Sequence, residues 1–192
     1  MATDGYAWRQ MTADDISDVV RIADQVHASL PESDGVFAER AKLFPQGCLI
    51  LVDKDNRAYG YTISHPIREG QPPELDSLLG EIAPTADQYY IHDVAILPEL
   101  RGRGLAAEAI RRLVNVGKQF STTCLVSVYG TAPFWARFGF QAPEDLDEAL
   151  QDKLRGYGDD ATYMVRSNAE GAAPINSKLG LCLDKQTTKT VF

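Results

Sequence analysis

The sequence predicts a single α/β (α+β) domain, built on one mixed, mostly antiparallel sheet flanked by helices. Three observations carry this expectation. Segments of two-residue apolar alternation and segments of helical period follow one another without strict β–α–β regularity. One pair of strand-like runs is separated by a short polar turn, the pattern of a hairpin. The chain has 192 residues, 44% hydrophobic and 24% charged, the balance of a globular domain with a complete core.

The elements follow in order. Residues 6–12 (YAWRQMT) read as a first strand. Thr12 then opens T-A-D-D, with Asp15 three residues on, a weaker form of the S/T-x-x-E capping box. Ile16, Val19, Val20, Ala23 and Val26 recur at helical spacing behind it. A second, short helix fits residues 35–44 and is stopped by Pro45. The apolar run 49–52, the polar turn 53–57 and the alternation of Tyr59, Tyr61 and Ile63 form the hairpin. Residues 68–87, with Pro72, Pro73 and Pro84 and five acids against one base, make a long connection. A functional insertion and a decorated surface loop are equally good readings of it.

QYYIHDVAIL (residues 88–97) is apolar enough for a central strand, and residues 104–119 form a helix. Its apolar stripe is Ala106, Ile110, Leu113, Val114 and Gly117. TCLVSV is another buried strand, and APFWARFGF a short helix running into a strand, with Gly139 as the stop. Residues 143–160, with seven acids and two bases, suit a solvated helix and loop; ATYMVR closes the sheet. The domain is expected over residues 1–166. Residues 167–192 form a small, polar tail in which LGLCL has the alternation of an added edge strand, with a frayed tail the favoured reading.

Composition narrows the function classes. A net charge of -8 disfavours nucleic acid as a partner and mildly favours a cationic ligand. Cys48, Cys124 and Cys182 are odd in number and without C-x-x-C spacing, which suits reduced thiols in the cytoplasm and no metal site. No signal-like N-terminus or membrane-length apolar run is present, so no membrane partner is expected.

The chemistry concentrates at LPELRGRGLAAEAI (residues 97–110). Glycine is poor helix material, so two glycines just before a helix point to backbone amides laid bare. The first N–H groups of a helix lack intrahelical partners, and the macrodipole leaves roughly +0.5 charge there. Arg101 and Arg103 add charge, and the expected ligand is a phosphate or pyrophosphate. GRGLAA formally fits the dinucleotide pattern G-x-G-x-x-G/A. However, PELR intervenes between strand and glycine, and residues 121–130 hold no acid for a ribose, so that reading fails. No G-K-[ST] follows, which removes a Walker loop.

RGRGLA (residues 101–106) matches Q/R-x-x-G-x-G/A, and this stretch resembles the acyl-CoA pyrophosphate loop of the GNAT acyltransferase superfamily. HDVAILPELRGRGLAAEAI resembles that family's central strand–loop–helix, and GTAPFWARFGF its second motif; the likeness covers residues 6–166. The resemblance implies a bulged central strand that splays from its neighbour, with pantetheine inserted in the cleft. Val94, Ala95 and Ile96 would then pair with pantetheine, and Arg101, Gly102, Arg103, Gly104, Leu105 and Ala106 would cradle the pyrophosphate. Phe134 and Trp135 would wall the cleft. A backbone N–H near Val94 or Ala95 would hold the thioester oxygen.

The implied activity is acetyl transfer from acetyl-CoA by direct attack of a small cationic amine, of aralkylamine or polyamine type. His92 matches a catalytic histidine of the arylalkylamine branch and is the expected base, with Asp93 assisting through water or pairing with the acceptor. The family's second-motif tyrosine, which protonates the thiolate, is replaced here by Trp135, whose indole cannot act as an acid. Tyr129 is the substitute candidate. His27 and His65 lack motif context and are expected to be structural. Transfer to a protein lysine or N-terminus, and acyl-CoA binding without turnover, remain as alternatives. The expected oligomeric state is monomer or homodimer.

Overall fold

The computed structural model describes residues 5–168. Its strands are β1 (Tyr6–Gln10), β2 (Leu49–Asp53), β3 (Ala58–Ile67), β4 (Gln88–Ile96), β5 (Thr122–Ser127) and β6 (Thr162–Ser167). They form one sheet in chain order, β1-β2-β3-β4-β5-β6. The helices are α1 (Ile16–Val26), α2 (Asp34–Leu43), α3 (Leu105–Gly117), α4 (Ala132–Ala136) and α5 (Glu148–Arg155). All neighbouring strands run antiparallel except β4 and β5. Between those two the chain crosses over through α3, as parallel pairing requires.

Two irregularities in β4 shape the molecule. Opposite β3, Ile63 pairs with Asp93 but the next residue, Ser64, pairs with Ile91. His92 is therefore the extra residue of a β-bulge. An inserted residue reverses the alternation, so Tyr90, Asp93 and Ala95 share one face while Tyr89, Ile91, Val94 and Ile96 share the other. The second irregularity is on the β5 side. There β4 pairs only from Gln88 to Ile91, against Thr122 to Leu125, and beyond that the strands part.

Each face is filled by the apolar sides of helices. Trp8, Leu49, Leu51, Tyr89 and Ile91 pack against Leu105, Ala109, Ile110 and Leu113 of α3. On the opposite face Ile50, Tyr61, Ile63 and Ala95 meet Val19, Ile22 and Ala23 of α1 and Phe37 of α2. Trp8 fixes the start of α3, its indole N–H donating to the carbonyl of Leu105 at 3.0 Å. Gly117 lets the other end of α3 settle on the sheet, since a Cβ there would lie 2.5 Å from Thr123 Oγ1. Thr12 and Asp15 form the expected start signal, the Asp15 carboxylate accepting from the Thr12 N–H at 2.8 Å.

The structure departs from expectation in three places. The α3 stripe is rotated: Leu105 and Ala109 are buried, whereas Ala106 is only partly so and faces the β4/β5 cleft. No strand follows Gly139; Phe140 is wholly buried and a single bridge joins Gln141 to Val165, because Pro143, with no N–H to donate, follows two residues on. The acidic segment 143–160 contributes buried residues, Leu150 and Leu154 of α5. The tail beyond residue 168, including LGLCL, lies outside the described residues. Asn168 itself closes the sheet edge, its amide donating to the carbonyls of Gly117 at 2.8 Å and Phe120 at 3.1 Å.

Residues 68–87 contain no strand or helix, yet they are tied down from three sides. Asp76 accepts from the Ser33 N–H at 2.7 Å. Glu39 of α2 accepts from the N–H groups of Leu79 and Gly80, both at 2.8 Å, while Arg40 donates to Ser77 O at 2.7 Å. From the α5 side, Lys153 donates to Pro72 O and Tyr157 to Pro73 O, at 2.9 and 2.7 Å. The segment is a fixed cover over one side of the sheet.

Candidate active site

Where β4 and β5 part, a cleft of about 900 Å³ opens beside the start of α3. Val94 and Ile96 of β4 line it, as do Arg101, Gly102, Gly104, Leu105 and Ala106 of the glycine loop, and Phe134 and Trp135 of α4. Among the residues expected to bind the coenzyme, Ala95 and Arg103 do not line it. The Ala95 side chain points into the core behind the strand, a consequence of the bulge, and Arg103 is exposed. Arg101 is held to the strand end, its Nε–H donating to Ile96 O at 3.2 Å.

Gly102 and Gly104 have φ values of 78° and 79°, the left-handed region where a side chain is costly. A Cβ at either would meet nothing within 4 Å, so the loop surface is open to a ligand. Gly104 is the N-cap of α3 and supplies no capping side chain, which leaves the first-turn amides to an outside acceptor. Open glycines, bare amides and a neighbouring arginine fit a diphosphate. The strand edge of β4 beyond Ile91, released from β5, fits an extended arm carrying amide groups.

At the inner end of the cleft, against the bulge, lies a pocket of about 110 Å³. Val94, Tyr129, Thr131 and Trp135 border both spaces and so form the passage between them. The pocket holds two acid–imidazole pairs. His92 Nε2 donates to Glu32 Oε2 at 2.7 Å, and the two side chains are 2% and 7% exposed. His27 Nε2 lies 3.0 Å from Asp93 Oδ1, and the Tyr61 hydroxyl donates to Asp93 Oδ2.

The second pair is electrostatically self-sustaining. Burial opposes the charge on His27, but the Asp93 carboxylate outweighs it and raises the imidazole pKa above its usual 6.5. Burial likewise works against ionised Asp93, and His27 together with the Tyr61 hydroxyl overcomes it, lowering the carboxyl pKa. Tyr61 is pushed well above its ordinary range by burial first and then by Asp93.

Tyr129 stands at the passage. Its backbone is left-handed, with φ of 55°, and it is 47% exposed. Its ring stacks on His27, with centroids 5.7 Å apart and planes 14° apart, and its hydroxyl shares a 3.0 Å hydrogen bond with Ser29. A non-glycine residue in this conformation is held there by its surroundings. Trp135 is nearly buried and packs edge-on against Phe134 and Phe140, so it serves as a wall.

His92, Asp93 and Tyr129 thus converge on one pocket. Sequence reasoning missed Glu32, His27 and Tyr61. His27 ends α1 and Glu32 sits in the connection to α2, 66 and 60 residues from their partners, so no local spacing announces them. The one available signal was the face of β3, where Tyr61 and Ile63 alternate toward the same side as the residues after the bulge.

Comparison with known proteins agrees with this geometry. Residues 14–140 match the sequence model of the acetyltransferase (GNAT) family. No curated protein sequence matches the chain significantly. Among solved structures, it is similar to the loading GNATL domain of CurA from Lyngbya majuscula, with a TM-score of 0.70 at 16% identity over 85% of this chain and 98% of that one. It is also similar to N-acetylglutamate synthase from Neisseria gonorrhoeae, solved with coenzyme A and N-acetyl-glutamate, with a TM-score of 0.59 at 18% identity over 85% and 35% of the two chains. Arabidopsis thaliana Naa50, solved with a bisubstrate analogue, gives a TM-score of 0.59 at 12% identity over 84% and 97%.

Proposed function

Since the chain belongs to the GNAT acetyltransferase family, we propose that it is an N-acetyltransferase that moves an acetyl group from acetyl-CoA to a small cationic amine. The observation that carries this reading is the small pocket at the bulge, which holds the Glu32–His92 pair and opens into the cleft past Val94 and Tyr129. Acetyl-CoA supplies an electrophilic thioester carbonyl when bound. The protein's tasks are then to place that carbonyl, to free a lone pair on the amine and to stabilise the oxyanion.

An alkyl amine with a pKa of about 10.4 is protonated at neutral pH, and freeing it costs about 4–5 kcal/mol. The carboxylates of Glu32 and Asp93 favour entry of the cation, and the Glu32–His92 pair takes its proton as a unit. Backbone N–H groups of β4 near Val94, turned toward the departed β5, serve the developing oxyanion; such a donor is worth about 3 kcal/mol in other enzymes. Tyr129, at the passage, is placed to give a proton to the departing thiolate. The fixed cover of residues 68–87 supports a small acceptor over a peptide chain, which would need an open groove.

The test is release of free thiol from acetyl-CoA across aralkylamines, polyamines and short peptides. Small amines are expected to turn over and peptides not. His92→Ala should lower kcat by about 10²–10⁴-fold. Turnover of peptides alone would assign the enzyme to protein acetylation. Saturable acetyl-CoA binding without turnover would make it a binding protein.

A further inference from the structure

Behind the bulge lies a set of polar groups that acetyl transfer, as described, does not use. His65 of β3 and Arg40 of α2 are both fully buried. The His65 ring lies 6.0 Å from that of His92, centroid to centroid. Four buried atoms, His92 Nδ1, His65 Nε2, Arg40 Nε and the Tyr90 hydroxyl oxygen, have no hydrogen-bond partner among the described residues, and the Tyr90 ring lies edge-on to both imidazoles, at 5.5 Å from His65 and 5.7 Å from His92. A buried polar group left without a partner loses its hydration with nothing in return. Several around one side chain imply a shared partner.

What each nitrogen needs follows from its neighbour on the same group. The carbonyl of Pro66 can only accept, and it lies 3.1 Å from His65 Nδ1, which therefore carries the ring hydrogen. Burial, reinforced by His92 and Arg40, lowers the His65 pKa to about 3, so the ring is neutral and Nε2 presents a lone pair. Glu32 likewise accepts the Nε2–H of His92, so whenever that ring is neutral its Nδ1 presents a lone pair. Arg40 Nε keeps its hydrogen, while the other guanidinium nitrogens go to Glu39 and Ser77 O. With His92 neutral, the three nitrogens are thus two acceptors and one donor, and the Tyr90 hydroxyl can serve as either.

We infer that one buried water belongs to this site, donating to His92 Nδ1 and His65 Nε2 and accepting from Arg40 Nε–H, and that His65 is thereby a positioning residue for His92. Three hydrogen bonds are what a buried water typically makes. The same water serves both states of His92. When the ring is an imidazolium, Nδ1–H becomes a donor; the water then accepts from it and from Arg40 and still donates to His65. A side chain with fixed hydrogens could not switch in this way. Glu32 fixes the tautomer of the neutral ring, and the water fixes the ring's orientation from the other side. The catalytic consequence rests on the Glu32–His92 pair being the proton acceptor; the water itself does not.

Two measurements test the inference. A crystal structure resolving ordered waters should show one within hydrogen-bond distance of all three nitrogens. A site closed by side chains, or a water reaching fewer than two of the three, would overturn it. With the amine identified by thiol release, His65→Phe should lower kcat about tenfold, the worth of one hydrogen bond, and leave both KM values unchanged. His65→Gln, whose amide oxygen restores an acceptor, should recover most of that loss. Equal losses in the two variants, or a loss confined to KM, would reduce His65 to a packing residue. A wild-type protein without turnover would sink the acetyl-transfer reading instead, and the crystal structure would still decide the water.

Discussion

His27 and Asp93 illustrate how much one buried contact sets at the residue scale. His27 has a raised pKa, so its contribution to stability is complete below the unfolded value near 6.5 and fades as pH rises through the folded one. Asp93 has a lowered pKa, so its contribution is complete above the unfolded value near 3.9 and is lost as pH falls through the folded one. The pair therefore supports the pocket best in the mildly acidic window between about 4 and 6.5. Titration by NMR should find His27 above its ordinary value in the wild type. In Asp93→Asn, where burial and Arg101 oppose the charge and only the weaker pull of Glu32 favours it, it should fall below. An unchanged His27 would show that the pair does not form.

At the scale of elements, the cover of residues 68–87 is anchored to α2 chiefly through one carboxylate. Glu39 accepts from two of its amides and pairs with buried Arg40. Glu39→Ala should cost about 3–5 kcal/mol in chemical denaturation, because it strands a buried cation as well as freeing the segment. A loss under about 1 kcal/mol, the worth of a surface pair, would show the cover to be loosely held. The same scale explains what could be read from sequence. The strand–glycine loop–helix unit was legible because two glycines and two arginines sit where a helix starts. The bulge was not. Two-residue alternation places Tyr90 and His92 on one face, but it cannot reveal an extra residue that brings Asp93 round to the same side. The strand expected after Gly139 is cut to one bridge at Gln141, because Pro143, two residues on, has no N–H to give a ladder.

For the whole molecule, the site lies on a seam. The β1–β4 half, carrying α1 and α2, meets the half from α3 to β6 through a short parallel ladder of β4 and β5. The pocket at the bulge draws its acids and imidazoles from the first half, and the cleft draws its glycine loop and aromatic wall from the second. That division is why half of the site was legible. The loop is contiguous in sequence, whereas the pocket assembles only when α1 and its connection fold back over β4. Charge is divided in the same way. The chain carries -8 overall, yet Arg101, Arg111 and Arg137 line the cleft, so local potential rather than net charge governs an anionic coenzyme.

The account depends on amides at the head of α3 gripping a diphosphate while the pantetheine arm follows the released edge of β4. A crystal structure of the acetyl-CoA complex tests this most directly. The diphosphate should rest on the backbone of residues 102–106, with the acetyl group at the passage beside Val94 and Tyr129. A coenzyme bound elsewhere, or one that leaves the β4/β5 gap unfilled, would contradict it.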